Sequence, residues 1–266
     1  MDYFWIEKND FPSWESKTSG FLSISCQYFF NNSNIILNQN LDFKENIISN
    51  LTGEIPIKPI LRHTQRSENK KKYKKYYKGI NIKKLNDELR IKLKSNPNLL
   101  FEVYNEEGVF YTSNGTKGFD FACLDSSYNL INLWNLCFGR KSLHNGKDYW
   151  EETLKSNSFL ESAASNFNVD SYPLGQDIPS NKEVLTILGE LQFGNWGLAY
   201  RDLFKLLHAD ALSGVDLFVY VTAHNNLLSY ASDGIVSYSD TISILNEFSS
   251  LIKIPIWVIG LDIHIE

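Results

Sequence analysis

The C-terminal third of the chain alternates between continuous apolar runs and stretches in which apolar residues recur at helical spacing. Residues 184–193 (VLTILGELQF), 215–222 (VDLFVYVT) and 254–260 (IPIWVIG) are apolar runs typical of buried strands. Residues 196–208 and 240–252 place their apolar side chains on one helical face. This succession predicts an α/β (α+β) fold, in which a central mixed β-sheet is flanked by helices.

The pattern is less regular in the preceding part of the chain. Apolar spacing predicts helices over residues 83–94 and 149–167. Residues 99–104 and 109–112 predict a β-hairpin around the turn Asn-Glu-Glu-Gly. The first 60 residues are rich in Asn, Ser and aromatic side chains and give no firm assignment. We therefore expect an N-terminal elaboration before the regular core.

Composition places the chain of 266 residues in the ordinary globular class, with 43% hydrophobic and 21% charged residues. No window approaches the roughly 18 apolar residues that a membrane span requires, and the first residues are too acidic for a signal peptide. Cys26, Cys123 and Cys137 lack CxxC spacing, so neither a disulfide framework nor a zinc site is indicated. A cytoplasmic location without membrane contact is expected.

Charge is distributed very unevenly along the chain. Residues 62–94 contain 13 of the 26 Lys and Arg residues and only three acids, so this basic block carries +10. Because the net charge is −5, the rest of the chain carries −15. A basic block on an otherwise acidic protein favours local contact with a polyanion. A solvated lysine-rich loop is the alternative.

Two polar residues stand near the end of the apolar run 184–193. Residues two apart on a strand point to the same side, so Glu190 and Gln192 project together. A carboxylate and an amide on a central strand need a chemical reason. Hydrolysis of a phosphodiester supplies one, because Mg²⁺ prefers hard oxygen ligands and can activate a water molecule.

The run Glu190-Leu191-Gln192-Phe193-Gly194-Asn195-Trp196, followed by an amphipathic helix and a buried strand, resembles the active-site core of PD-(D/E)xK nucleases. Gln192 at the third motif position is similar to the BglII/BstYI branch of type II restriction endonucleases, in which E-x-Q replaces E-x-K. The resemblance covers roughly residues 148–264, within a core domain expected at residues 148–266. It implies a restriction-endonuclease-like core there, after an N-terminal region (1–147) that carries the basic block, within one compact structural unit.

The resemblance also requires an Asp on the strand before Glu190. A turn at residues 178–182 would place Asp170 opposite Glu190, because both lie ten positions from its centre. Asp177 would lie beside that turn, on the order of 20 Å from Glu190 at about 3.3 Å per residue. However, Pro173 is unfavourable inside a paired strand. Asp170 is therefore preferred, Asp177 stays open, and Asp120 is a third candidate.

The resemblance implies a Mg²⁺-dependent endonuclease that hydrolyses double-stranded DNA at specific sites and works as a homodimer. Its catalytic residues would be Asp170, Glu190 and Gln192, with Glu190 and Asp170 or Asp177 as metal ligands. Sequence motifs for a nucleotide cofactor are absent. A binding protein without catalysis on the same scaffold is the alternative. The residues expected to contact DNA are Lys70, Lys71, Lys74, Lys75, Lys78 and Arg201; Lys205 shares the polar helix face of Arg201.

Overall fold

The structure is a computed structural model that describes residues 5–67, 74–112, 118–165, 167–168, 171–231 and 234–266. The strands are β1 (Trp5–Ile6), β2 (Ser19–Phe30), β3 (Gly53–Pro56), β4 (Leu61–Ser67), β5 (Lys74–Ile80), β6 (Leu100–Glu106), β7 (Val109–Thr112), β8 (Phe119–Cys123), β9 (Ile187–Gln192), β10 (Leu217–Ala223) and β11 (Ile256–Ile265). The helices are α1 (Phe11–Glu15), α2 (Ser33–Gln39), α3 (Leu41–Leu51), α4 (Ile82–Leu93), α5 (Ser126–Phe138), α6 (Gly146–Ser156), α7 (Ser158–Ala164), α8 (Trp196–Ser213), α9 (Asn225–Tyr230) and α10 (Tyr238–Glu247).

The strands form two sheets. The larger has the order β3-β2-β11-β10-β9-β8-β6-β7, and the smaller has the order β1-β5-β4. The backbone N–H groups of Asp216 and Leu217 donate to the carbonyl of Thr186, so β9 and β10 begin at the same end and run parallel. Because β8 and β9 are antiparallel, the larger sheet is mixed. The predicted fold class, a central mixed sheet with helices, is confirmed.

Most elements predicted from the apolar pattern are present. The hairpin is confirmed as β6 and β7, the helix at 83–94 as α4, and the C-terminal elements as β9, α8, β10, α10 and β11. The helix predicted over 149–167 is wrong, because it breaks at Asn157 into α6 and α7. The side-chain oxygen of Asn157 instead accepts a hydrogen bond from the backbone N–H of Thr112 on the outermost strand.

The chain divides into two compact units. The first contains Met1–Pro97, Leu191–Leu203 and Val219–Glu266, and the second contains Asn98–Glu190 and Phe204–Phe218. These boundaries differ from a division at residue 147, because long-range strand pairing joins distant segments. In the first unit, β2 pairs antiparallel with β11 from Phe30↔Ile256 to Gly20↔Ile265. None of the described helices is long and apolar enough to cross a bilayer.

The second unit contains a hydrophobic core cluster with several aromatic members. Its buried members come from β7, α5, α6 and α7, and they include Trp134 and Trp150. The buried amide of Asn129 both donates to the Phe110 carbonyl and accepts from the Phe110 N–H. Together with Asn157, it satisfies backbone groups of β7, which is the last of the described strands in the sheet order. The free edge of the sheet is thereby protected against pairing with another chain.

Candidate active site

Strand β9 carries the polar pair that the sequence singled out. All six of its residues are buried, and Glu190 and Gln192 are only 5% and 6% exposed. The side-chain oxygen Oε1 of Gln192 accepts a hydrogen bond from the backbone N–H of Gly194, at 3.2 Å. Its amide nitrogen is buried and has no hydrogen-bond partner among the described residues. An unsatisfied buried donor costs about 1–3 kcal/mol, which a bound oxygen atom would offset.

The strand that pairs antiparallel with β9 in the second unit is β8. The register runs Phe121↔Gly189 and Ala122↔Leu188, and continuing it by one residue places Asp120 opposite Glu190. Directly opposed side chains lie on the same face, with Cβ atoms about 5 Å apart. Asp120 is buried, at 9% exposure. The structure therefore brings together Glu190 and the third of the three aspartate candidates.

The hairpin predicted around residues 178–182 is wrong. Residues 171–186 contain no strand. Asp177 is exposed, and its carboxylate accepts a hydrogen bond from the backbone N–H of Arg140 at 2.9 Å. Asp170 lies outside the described residues. The pairing with β8 was missed because the helices α5, α6 and α7 separate the two strands along the chain.

Lys205 of α8 provides a cation at this site. Its ammonium group forms an ion pair with Oε1 of Glu190 and donates to the Gly118 carbonyl at 2.8 Å. It also lies 4.5 Å from the centroid of the Phe119 ring, which is a cation–π contact. The side chains of Lys205 and Glu190 are 18% and 7% exposed, so water screens this ion pair weakly.

Two glycines allow the strands of the site to approach each other. A Cβ on Gly189 would lie 2.1 Å from the ring of Phe121, its partner across the strand pair. A Cβ on Gly118 would lie 2.6 Å from the carbonyl oxygen of Val103. Both positions therefore exclude a side chain, and the second lies two residues before Asp120.

The donor set of the site fits Mg²⁺ better than a metal held entirely by protein. The described residues contain no group of three or more His, Cys, Asp and Glu that could hold an ion. Mg²⁺ is commonly bound by one or two carboxylates, with water and phosphate oxygens completing the octahedron. Asp120 and Glu190, buried on adjacent strands, match that requirement.

The basic block spans three elements of the first unit, β4, β5 and α4. Lys74, Lys75 and Lys78 lie on β5, paired with β4 in a hairpin, whereas its later members lie on α4. The ammonium group of Lys78 lies 5.3 Å from the Trp14 ring centroid. Lys70 and Lys71 lie outside the described residues. Arg201, 57% exposed on α8, pairs with Asp202 at 3.1 Å.

Part of the chain matches a family model of known proteins. Residues 140–261 match the family model described as restriction endonuclease BglII/BglIII. This range includes Glu190 and Gln192, but Asp120 precedes it. The predicted resemblance to type II restriction endonucleases of the BglII kind is confirmed. No curated protein matches the chain.

Two solved structures are also similar to the chain. One is restriction endonuclease BglII complexed with a DNA 16-mer, with 13% identity and a TM-score of 0.42, covering 88% of this chain and 74% of that one. The other is free BglII, with 13% identity and a TM-score of 0.37, covering 88% and 77%.

Proposed function

We propose that the protein is a Mg²⁺-dependent endonuclease that cuts double-stranded DNA at specific sites. The observation that carries the proposal is the placement of Asp120 opposite Glu190 on two buried, adjacent strands. The family match over residues 140–261 supports a nuclease of the restriction type. A binding protein would not need two neighbouring carboxylates in its core, because placing two negative charges side by side out of water destabilises a fold unless cations compensate them.

In this proposal Asp120 and Glu190 would hold the metal between β8 and β9. The metal, when bound, activates a water molecule and stabilises negative charge on the phosphate undergoing attack. Gln192 has no charge and is not a general base, so its role is to orient. Its amide N–H groups, which lack a partner among the described residues, would donate to a water or phosphate oxygen. The attacking water would lose its proton to a phosphate oxygen or to solvent.

Each such site cuts one strand at a time, so we further propose a homodimer with the two sites related by a two-fold axis. A monomer that nicks one strand and then rebinds to cut the other is the alternative. A two-fold protein matches a palindromic target, because each subunit reads one half. In such a dimer each subunit contributes one DNA-recognition surface and one active site, and each subunit cuts one strand.

The test is incubation with supercoiled plasmid in Mg²⁺ and in EDTA. Discrete linear fragments in Mg²⁺ only, without accumulating nicked circles, are expected from paired sites. Glu190→Gln should lower the cleavage rate about 1,000-fold, equivalent to about 4 kcal/mol, because one carboxylate ligand is removed. Binding to the same DNA in Ca²⁺ should persist. Retardation of plasmid without cleavage by the unchanged protein would contradict the nuclease and indicate a binding protein.

We propose that the β4–β5 hairpin binds DNA phosphates. Removing one lysine that neutralises a phosphate should reduce the slope of log affinity against log salt by about 0.9. Lys74, Lys75 and Lys78 changed together to Ala should therefore weaken binding to all sequences and flatten this slope. A matched variant with Lys141, Lys147 and Lys155 changed to Ala, outside the basic block, should bind as the unchanged protein does. Equal slopes for both variants would rule out the hairpin as the DNA-binding element.

A further inference from the structure

The third position of the motif, Gln192, cannot supply the positive charge that a lysine would bring to phosphodiester hydrolysis. An amide donates hydrogen bonds but does not neutralise the charge that accumulates on the phosphate in the transition state. Among the described residues around Glu190, the structure brings a cation from a different element, the helix α8. That cation is Lys205, fifteen residues after Glu190.

We propose that Lys205 is the cationic catalytic residue of this site and contacts the phosphate that is cut; this rests on the proposed nuclease function. Three contacts direct its ammonium group to the place where β8 and β9 carry their carboxylates. They are the Glu190 carboxylate, the Gly118 carbonyl at 2.8 Å and the Phe119 ring at 4.5 Å. Since Gly118 and Phe119 immediately precede Asp120, the same short segment positions both the lysine and the aspartate.

The solvent exposure of Lys205 and Glu190 also favours contact between Lys205 and the phosphate. The Lys205 side chain keeps 18% of its surface accessible, whereas Glu190 keeps 7%. Lys205 is therefore the more accessible member of the pair, as expected of a residue that meets an anionic substrate. A divalent cation bound by the carboxylates would repel the ammonium group of Lys205 and weaken its ion pair with Glu190. Lys205 would then be available to pair with a phosphate of bound DNA.

A purely structural role, as counter-ion of a buried carboxylate, makes a different prediction. A counter-ion affects folding stability, and its removal leaves the reaction rate of the folded protein unchanged. The chain offers a matched control in Lys182, which pairs with Asp216 at 2.6 Å and is 22% exposed. Lys182 has the same chemistry and similar burial in the same unit, but its partner is not Glu190.

The experiment compares Lys205→Met with Lys182→Met, since methionine keeps most of the apolar stem. Linearisation of plasmid bound in Ca²⁺ is started with excess Mg²⁺, and thermal unfolding is followed in parallel. Removing one stabilising donor from the transition state costs about 100-fold or more in rate, which is expected for Lys205→Met alone. Both variants should lose some stability. Calorimetric titration with Mn²⁺ should show tighter binding to Lys205→Met, because the competing ammonium group is gone.

Chemical rescue separates charge from packing. Lys205→Cys treated with 2-bromoethylamine regains an amine of nearly the same length and should recover much of the rate. The unchanged protein treated identically controls for Cys26, Cys123 and Cys137, which are all free. If Lys205→Met cleaves at the rate of an active unchanged protein, the inference about Lys205 is overturned and the nuclease stands. If the unchanged protein does not cleave, both fall.

Discussion

Strands β9 and β10 are both buried along their whole length, yet only β9 carries a carboxylate and an amide. The hydroxyl of Thr222 in β10 donates to the carbonyl of Val236, at 2.9 Å. Its polar group is thus satisfied by one backbone atom of the fold. Glu190 in β9 instead requires a cation, which Lys205 brings from α8. A polar residue on a buried strand therefore indicates chemistry when the fold must supply a charge to accommodate it.

The largest predicted effect is on the cleavage rate. It should show which aspartate is the metal ligand beside Glu190. Asp120→Asn should reduce cleavage about 1,000-fold, as loss of a metal ligand removes several kcal/mol of transition-state stabilisation. Asp177→Asn is the matched control, because its carboxylate is exposed and accepts a hydrogen bond from the Arg140 N–H, away from Glu190. Single-turnover plasmid cleavage measures both. The reverse outcome would assign the ligand to Asp177 and remove β8 from the site.

A smaller effect is expected when a residue of β9 and a residue of β10 are each substituted and the losses of folding stability are compared. Gly189→Ala places a methyl group 2.1 Å from the Phe121 ring, and such overpacking costs about 1–3 kcal/mol. Thr222→Val, the control in β10, removes one hydrogen bond worth about 1 kcal/mol. Urea unfolding gives both free energies. Cleavage per folded molecule should fall only for Gly189→Ala, because Phe121 is next to Asp120 on β8. If both variants cleave at the same rate, the site tolerates displacement of β8.

The smallest predicted effect is on stability. It concerns Asp125, which anchors the segment before β9 by accepting hydrogen bonds from its backbone. Burial raises the pKa of the Asp125 carboxyl, but hydrogen bonds from the backbone N–H groups of Tyr128, Glu183 and Val184 outweigh it, so the pKa lies below its ordinary value. A carboxyl whose pKa is lowered by folding stabilises the folded state at pH values above its unfolded-state pKa of about 3.9. This stabilisation is lost as the pH falls through the folded-state pKa.

Asp125 is also the N-cap of α5. Asp125→Ala should therefore destabilise the protein by about 1–2 kcal/mol at neutral pH, as expected for removal of such a cap. The difference between this variant and the unchanged protein should shrink as the pH falls below about 4. Thermal unfolding between neutral and acidic pH tests it. A difference that stays constant over this range would show that the carboxylate charge is irrelevant and that only packing has changed.

The sequence predicted the strand of Glu190 and Gln192 because an apolar run of ten residues with a polar pair at its end is a strong local pattern. It ranked Asp120 last for an equally physical reason. Strand β8 has only five residues, and its pairing with β9 connects positions separated by three helices. Local spacing favours hairpins, so it pointed to Asp170 and Asp177 instead. The ion pair of Lys205 with Glu190 depends on how α8 packs, which helical periodicity alone leaves open.

The position of β11 in the larger sheet has a consequence for protein synthesis. This strand lies between β2 and β10 in the sheet order, although it follows both along the chain. On a ribosome, β2 must wait for more than 220 residues to be made before its partner emerges, from Phe30 to Ile256. Such non-local pairing slows folding. A nascent or interrupted chain that lacks β11 therefore leaves the first unit unfinished.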